Sequence, residues 1–149
     1  MSVDRDALAR LRDQSVTHTR RFIVERRHTT NVFGEQDDPA GKPAAADASP
    51  EEAVRVLGSP FVVSFAEFTG RESLRGHLPE GTGTVGEYVG LDHRSAAPLG
   101  ATVTVETLLT GVEGPKLSLE ATVSHDGRLV GEVALVFRVV DRARFRAAL

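Results

Sequence analysis

The stretch from Ser59 to Leu78, SPFVVSFAEFTGRESLRGHL, constrains the fold of this chain more than any other. It begins with serine and proline, which favour the cap and first turn of a helix, and its first half is apolar on nearly every side. A helix of this kind has to be buried. Because the segments after it have the residue pattern of strands, the sequence predicts an α+β domain in which one long central helix is wrapped by an antiparallel sheet.

The predicted strands follow the helix in sequence. Ala101 to Leu109 and Lys116 to His125 alternate apolar and polar residues, as half-buried strands do. Asp126-Gly127 predicts a tight hairpin turn. The last strand, Arg128 to Asp141, is apolar on both faces, which predicts an interior position in the sheet or burial against a second subunit.

An earlier strand, Thr84 to Asp92, contains Gly86 and Gly90. Glycine inside a strand usually marks a bulge, or a place where another backbone or a ligand comes close. We therefore expect an irregularity in this strand. Arg142 to Leu149 is predicted to be a frayed basic tail.

The chain before the central helix is less regular. Asp4 to Gln14 predicts a short amphipathic helix capped by Asp4, and Ser15 to Arg27 predicts a strand. His28 to Asn31 is either a polar turn or the mouth of a pocket. Residues 34–49, GEQDDPAGKPAAADAS, predict a flexible loop that is either a lid or a tolerated insertion. A capping-box pattern at Ser49 to Glu52 predicts a short helix reaching Leu57.

Composition limits the classes of function. A chain of 149 residues is expected to form one domain, residues 1–149, with a core that needs no disulfide or metal. There is no cysteine, which excludes a thiolate zinc site and a cysteine nucleophile. The net charge is −3 and the arginines are scattered among acids, so we expect no nucleic-acid partner. No apolar run suggests a membrane span or a signal peptide, and we expect a cytoplasmic protein.

Three polar residues stand out around the apolar centre: Ser59 at the helix start, Glu67 within the helix and His93 at the end of the following strand. Each has an ordinary explanation, namely a helix cap, an ion pair with an arginine across a dimer interface, and a surface histidine. Together, a hydroxyl, a carboxylate and an imidazole are the parts of a hydrolytic site. The spacing alone leaves both interpretations open.

The segment from Val56 to Leu109 resembles the hotdog-fold acyl-CoA thioesterases of the fluoroacetyl-CoA thioesterase type. That family shows a Thr or Ser at the helix start, a Glu within the buried helix, a Leu-x-x-Gly connection, a Gly in the next strand, and a His followed by Ala-x-Pro-x-Gly. The matching positions are Ser59, Glu67, Leu78 to Gly81, Gly86, His93 and Ala96 to Gly100.

The resemblance implies a hotdog fold with Ser59, Glu67 and His93 as catalytic residues and the amide of Gly86 near the acyl group. The family carries an arginine in the last strand that faces the pocket. Arg138 is one position out of register with it, so Phe137 is expected to take that place and bind substrate.

We therefore expect a homodimeric thioesterase that hydrolyses an acyl-CoA or acyl-carrier-protein thioester, by attack of water or Ser59. It would need no metal or other cofactor, since coenzyme A enters as part of the substrate. The alternative is a non-catalytic hotdog protein that binds an acyl thioester or a small hydrophobic ligand, in which Glu67 and His93 would not touch. A hydratase of the same fold ranks last, because the sequence lacks a hydratase-type Asp and His motif.

Overall fold

A 15-residue helix lies across a five-stranded antiparallel sheet in the computed structural model, which describes residues 3–149. The helices are α1 (Arg5–Ala9), α2 (Ser59–Ser73) and α3 (Arg142–Ala147). The strands are β1 (Thr17–Ile23), β2 (Thr29–Asn31), β3 (Gln36–Asp37), β4 (Ala40–Gly41), β5 (Arg55–Leu57), β6 (Thr82–His93), β7 (Thr102–Glu113), β8 (Lys116–His125) and β9 (Arg128–Asp141).

The main sheet has the strand order β1-β7-β8-β9-β6, with every neighbouring pair antiparallel. The predicted α+β class and the wrapped central helix are confirmed. β9 lies in the interior of the sheet, as its two apolar faces predict, and β6 forms one edge. No helix in residues 3–149 is long and apolar enough to cross a lipid bilayer.

The core lies between α2 and the concave face of this sheet. Val62, Ala66 and Gly70 are buried on the side of α2 that faces the strands. A β carbon added at Gly70 would lie 3.2 Å from Leu135 Cδ1 and 3.4 Å from Phe137 Cε2. The helix therefore packs closely on β9, where a β carbon at this position would require its neighbours to shift by a few tenths of an ångström.

Two predicted features of the strands are confirmed. Asp126 and Gly127 have φ values of 49° and 74°, as the hairpin turn between β8 and β9 requires. The register of β6 against β9 shifts between Gly86 and Tyr88, which is the irregularity expected from Gly86.

The helix boundaries around α2 differ from the prediction. Gly58, not Ser59, is the N-cap, and Ser59 is the first helical residue. The helix ends at Ser73 instead of Leu78, because the following turn places Gly76 at a φ of 84°.

The segment before α2 was predicted to be helical as far as Leu57, and this prediction is wrong. The capping box at Ser49 forms, but it starts only a 3-10 turn over Pro50–Glu52. Arg55–Leu57 is instead β5, which pairs with β2, and the Leu57 amide donates to the Ala97 carbonyl at 2.8 Å. These backbone partners are distant in sequence, and they override the local cap.

The two other irregular regions contain more structure than predicted. Residues 36–41 form a small hairpin of β3 and β4 inside the predicted loop. The C-terminal tail forms α3, whose first turn is capped by Asp141 accepting a 2.9 Å hydrogen bond from the Arg144 amide. The role of residues 34–49 as a lid stays a prediction.

Candidate active site

Ser59 and His93 meet at the N-terminal end of α2. Ser59 Oγ lies 2.8 Å from His93 Nδ1, across 34 residues of sequence. The Ser59 hydroxyl has no capping role, since Gly58 is the N-cap and α2 has no side-chain cap. If the hydroxyl donates, Nδ1 accepts and the neutral ring carries its proton on Nε2. This is the geometry of a hydroxyl next to a general base.

The backbone at the start of α2 offers one free donor beside this pair. Pro60 has no N–H, and the amide of Phe61 donates to the Gly58 carbonyl at 2.9 Å. Within the described residues, the Ser59 amide has no hydrogen-bond acceptor. A developing oxyanion at this point could accept a hydrogen bond from one backbone N–H, that of Ser59.

Glu67 lies two turns further along α2, against the bulge in β6. A β carbon added at Gly86 would be only 2.8 Å from Glu67 Oε1. Glu67 is half-buried, and its carboxylate forms no ion pair or side-chain hydrogen bond within residues 3–149. The missing side chain at Gly86 therefore makes room for the Glu67 carboxylate.

The structure brings the three predicted residues together only in part. Ser59 and Glu67 are eight residues apart, which is about 12 Å along a helix axis. Gly86 and His93 are seven residues apart, which is about 23 Å along a strand. Glu67 and His93 share no hydrogen bond or ion pair among the described residues. One chain thus carries two separate pairs, Ser59–His93 and Glu67–Gly86.

Phe137 pairs with Gly86 in the register of β6 and β9. Its side chain is 1% exposed and packs beneath Gly70 of α2. Within a single chain Phe137 is therefore a core residue, and its role in substrate binding stays a prediction.

The neighbouring Arg138 points to the opposite face of the sheet. Its Nη2 donates to Glu87 Oε1 at 2.8 Å, and Lys116 Nζ lies 3.5 Å from the other carboxylate oxygen. The hydrogen bond from Arg138 lowers the pKa of the Glu87 carboxyl group. Arg138 therefore points away from α2. Its register predicts this orientation, because it lies one position from the inward-facing Phe137.

A cleft on the other flank of α2 contains residues that the sequence analysis missed. Phe61, Phe65 and Phe68 line it together with His28 and Arg55. The signal was available in the helical spacing of the three phenylalanines, which places them on one face. Of the two interpretations of His28 to Asn31, the pocket mouth is the one this cleft favours, because His28 and Thr29 line it.

Comparisons with known proteins bear on this arrangement. Residues 42–143 match the family model described as FlK, fluoroacetyl-CoA-specific thioesterase. A fluoroacetyl-CoA thioesterase of Streptantibioticus cattleyicolor is 36% identical over 81 residues, covering 53% of this chain and 58% of the relative. The chain thus spans less than two thirds of the length of that curated relative.

Solved structures agree with the fold. A Thermus thermophilus protein of the thioesterase superfamily has a TM-score of 0.73 at 19% identity, covering 90% of this chain and 88% of that chain. A point mutant of the fluoroacetyl-CoA-specific thioesterase FlK, in complex with fluoroacetate and CoA, has a TM-score of 0.69 at 26% identity, covering 88% and 97%. The predicted hotdog fold is confirmed.

Proposed function

The chain belongs to the family of fluoroacetyl-CoA-specific thioesterases, and on that premise we propose that it hydrolyses an acyl-CoA thioester with Ser59, Glu67 and His93. The observation that carries the proposal is the 2.8 Å hydrogen bond between Ser59 Oγ and His93 Nδ1. A serine hydroxyl that is released from helix capping and held by an imidazole is suited to attack a carbonyl carbon.

The proposed chemistry needs only these side chains, the substrate and water. His93 takes a proton from the Ser59 hydroxyl, or from a water molecule beside it, as the oxygen adds to the thioester carbonyl. The C–S bond then breaks, and the departing thiolate receives that proton. In the serine route one water then hydrolyses the acyl-serine, which releases the acid and restores the Ser59 hydroxyl. Glu67 is proposed to orient or activate the attacking water.

A homodimer formed through β6 would unite the two separate pairs. β6 is an edge strand, so one side of its backbone lacks partners within the sheet, and Tyr88 and Val89 near its centre are exposed. Two β6 strands that pair antiparallel about an axis between residues 89 and 90 would place His93 opposite Gly86 of the partner subunit. Because Glu67 lies against Gly86, the partner's Glu67 would then approach the Ser59–His93 pair.

The proposal also covers the identity of the acyl group and of the carrier to which it is attached. The curated relative is named for fluoroacetyl-CoA, whereas an apolar Phe137 at the position of the family's arginine favours a less polar acyl group here. An acyl carrier protein is a second possible carrier of the thioester. A cytoplasmic location is proposed because coenzyme A thioesters and a chain without cysteine both fit that compartment.

The second candidate is a hotdog protein that binds an acyl thioester without turning it over. One observation favours it: Glu67 and His93 make no contact within the described part of the chain. The two candidates differ in whether changes at these residues alter turnover.

The decisive experiment measures thiol release from short, branched, aryl and fluorinated acyl-CoAs. For Glu67→Gln and His93→Ala we expect kcat/KM to fall at least about a hundredfold, the low end for removal of a general acid or base. Glu72→Gln, on the exposed face of α2, and the exposed His77→Ala serve as matched controls and should keep turnover. Turnover that is indifferent to Glu67→Gln and His93→Ala would exclude these roles. Absence of turnover with every acyl-CoA and acyl carrier substrate would favour the binding protein.

A further inference from the structure

The cleft on the flank of α2 away from Glu67 is a cavity of ligand size. Its volume is about 910 Å³, at the upper end of the range for small-molecule sites. Phe61, Phe65 and Phe68 lie roughly 100–160° around the helix from Glu67, since successive residues turn by about 100°. The cleft is therefore distinct from both pairs of the candidate active site. We call it the Phe–Arg cleft, after its phenylalanines and Arg55.

The floor of the Phe–Arg cleft is aromatic and already ordered. The rings of Phe22 and Phe65 stack with centroids 4.2 Å apart and planes 7° apart. The His28 ring meets Phe65 edge-on at 4.8 Å and is tilted against Phe61 at 5.5 Å. Phe68 adds a ring that is 50% exposed. A flat apolar body entering here would cover exposed ring surface without having to rearrange the floor.

His28 lines the cleft and is uncharged. It is 9% exposed, and its Nδ1 accepts a 3.1 Å hydrogen bond from the Glu25 amide. Burial, followed by the nearby Arg27 charge, lowers the pKa of His28 below its ordinary value, so the ring is neutral at pH 7. Positive charge in the cleft therefore comes from guanidinium groups.

The lining combines arginines with carboxylates, and most of these charges are paired. Four arginines face three carboxylates, namely Arg20, Arg26, Arg27, Arg55, Glu25, Asp37 and Asp38. Arg26 and Arg27 are engaged by Asp37 and Glu25 at 2.9 Å and 2.7 Å. Arg20 pairs with Glu72 and lies 4.4 Å from the centre of the Phe22 ring.

Arg55 differs from the other three arginines because its hydrogen-bonding capacity is largely unused. Its side chain is 17% exposed. Its only side-chain hydrogen bond among the described residues is a long one of 3.4 Å to Thr29 Oγ1, and its Nη2 lies 3.8 Å from Asp37 Oδ1, beyond hydrogen-bond range. A guanidinium has five N–H donors in a fork that matches a carboxylate. Arg55 thus presents a poorly satisfied anion-binding group beside three phenylalanine rings.

We propose that the Phe–Arg cleft binds an aromatic monocarboxylate, with its ring on the exposed surface of Phe61 and Phe68 above the buried Phe65, and its carboxylate on the guanidinium of Arg55. The aromatic floor favours a ligand with a flat apolar body, and the N–H donors of Arg55 that lack acceptors favour a ligand with a carboxylate.

The test is a titration of the ¹⁵N-labelled protein with phenylacetate, followed by amide chemical shifts. We expect saturable shifts at β2, β5 and the first half of α2, and much weaker binding of phenylacetamide, which lacks the charge, and of acetate, which lacks the ring. Arg55→Met should weaken phenylacetate binding about tenfold or more, as expected for loss of a charge-assisted hydrogen bond. Arg21→Met, an exposed arginine of β1 outside the cleft, is the matched control and should leave binding unchanged.

Phe68→Ala tests the aromatic half of the site at an exposed position where misfolding is not expected, and it should weaken binding about threefold or more. The proposal is overturned by a lack of saturable shifts, by shifts centred on Glu67 and Gly86 instead, or by Arg55→Met and Phe68→Ala variants that bind as tightly as Arg21→Met. The titration uses phenylacetate, which is a carboxylate and not a thioester. The result of the titration is therefore independent of whether the protein hydrolyses acyl-CoA.

Discussion

At the level of single residues, Gly86 and Glu67 show how the absence of a side chain makes room for a carboxylate. The carboxylate of Glu67 occupies space that a β carbon at Gly86 would take, 2.8 Å from Oε1. Glu67 reaches this place at the end of a flexible side chain, so it can move if the space is filled. A substitution at Gly86 should therefore change the carboxylate position more than the stability of the fold.

This leads to a prediction for Gly86→Ala. We expect thioester hydrolysis to fall at least about tenfold, because displacement of a positioned group by a fraction of an ångström to 1 Å costs up to about a hundredfold in rate. The free energy of unfolding should change by less than about 1 kcal/mol.

Kinetics and denaturant unfolding of the same samples check both parts of this prediction. Gly83→Ala is the matched control in the same strand, since its β carbon would meet Arg142 Cγ at an ordinary 3.6 Å. Equal activity of the two alanine variants would argue against a role for the Glu67–Gly86 contact.

At the scale of secondary-structure elements, α2 is shared between packing and chemistry. One side, with Val62, Ala66 and Gly70, is buried on the sheet. One flank presents Glu67 to β6, and the other presents Phe61 and Phe65 to the Phe–Arg cleft. The rotation of α2 about its axis therefore decides which residues reach each site, and close packing at Gly70 holds that rotation.

Gly70→Val tests this packing. The added side chain would overlap Leu135 and Phe137, whose atoms already lie 3.2 Å and 3.4 Å from an added β carbon. We expect a loss of about 1–3 kcal/mol in the free energy of unfolding, the usual cost of overpacking a core.

The control for Gly70→Val is Arg71→Val on the exposed side of the same helix, which carries only the lower helix propensity of valine, about 0.5 kcal/mol. Urea unfolding measures both variants. Equal stability of the two variants would show that α2 can shift away from β9 without cost.

For the molecule as a whole, the edge of β6 is the place where the proposed dimer would form. Tyr88 and Val89 are 58% and 39% exposed near the middle of this edge strand. If two chains pair there, each site takes Ser59 and His93 from one chain and the partner's Glu67.

Val89→Asp is designed to test this assembly. Near the proposed axis the substitution would bring two carboxylates together, and like charges opposite one another destabilise strand pairing. We expect the dissociation constant of the dimer to rise at least about tenfold. Thioester hydrolysis should decrease as the fraction of monomer increases. Light scattering and activity measured over the same range of protein concentration follow both quantities.

Leu108→Asp is the control for Val89→Asp, because Leu108 is similarly exposed at 45% but belongs to the interior strand β7. A monomeric Val89→Asp variant with full activity would show that each chain carries a complete site. A native protein that is monomeric at all concentrations would exclude the dimer altogether.

The sequence was most informative where structure depends on neighbours in the chain. Lys116–His125 and Arg128–Asp141 form strands with the predicted bounds, because alternation of side chains and the Asp126-Gly127 turn act locally. The prediction of a helix reaching Leu57 failed at Arg55–Leu57, where pairing with β2 outweighs a local capping box. Of the two interpretations that the sequence left open for Ser59, the helix cap is excluded because Gly58 is the N-cap, and the Ser59 hydroxyl contacts His93 from another part of the chain.

Patterns within short stretches of the chain were enough to predict the α+β class, the buried central helix, the hairpin order and the residue types at the candidate site, because periodicity and turn chemistry depend on residues close together in the chain. Which of these residues meet depends on contacts between distant segments. The contact of Ser59 with His93, the separation of Glu67 from both and the assembly of the Phe–Arg cleft depend on how α2 is rotated and seated on the sheet. Side chains from all five strands of the main sheet pack against α2 and set that rotation together, and no local pattern encodes it.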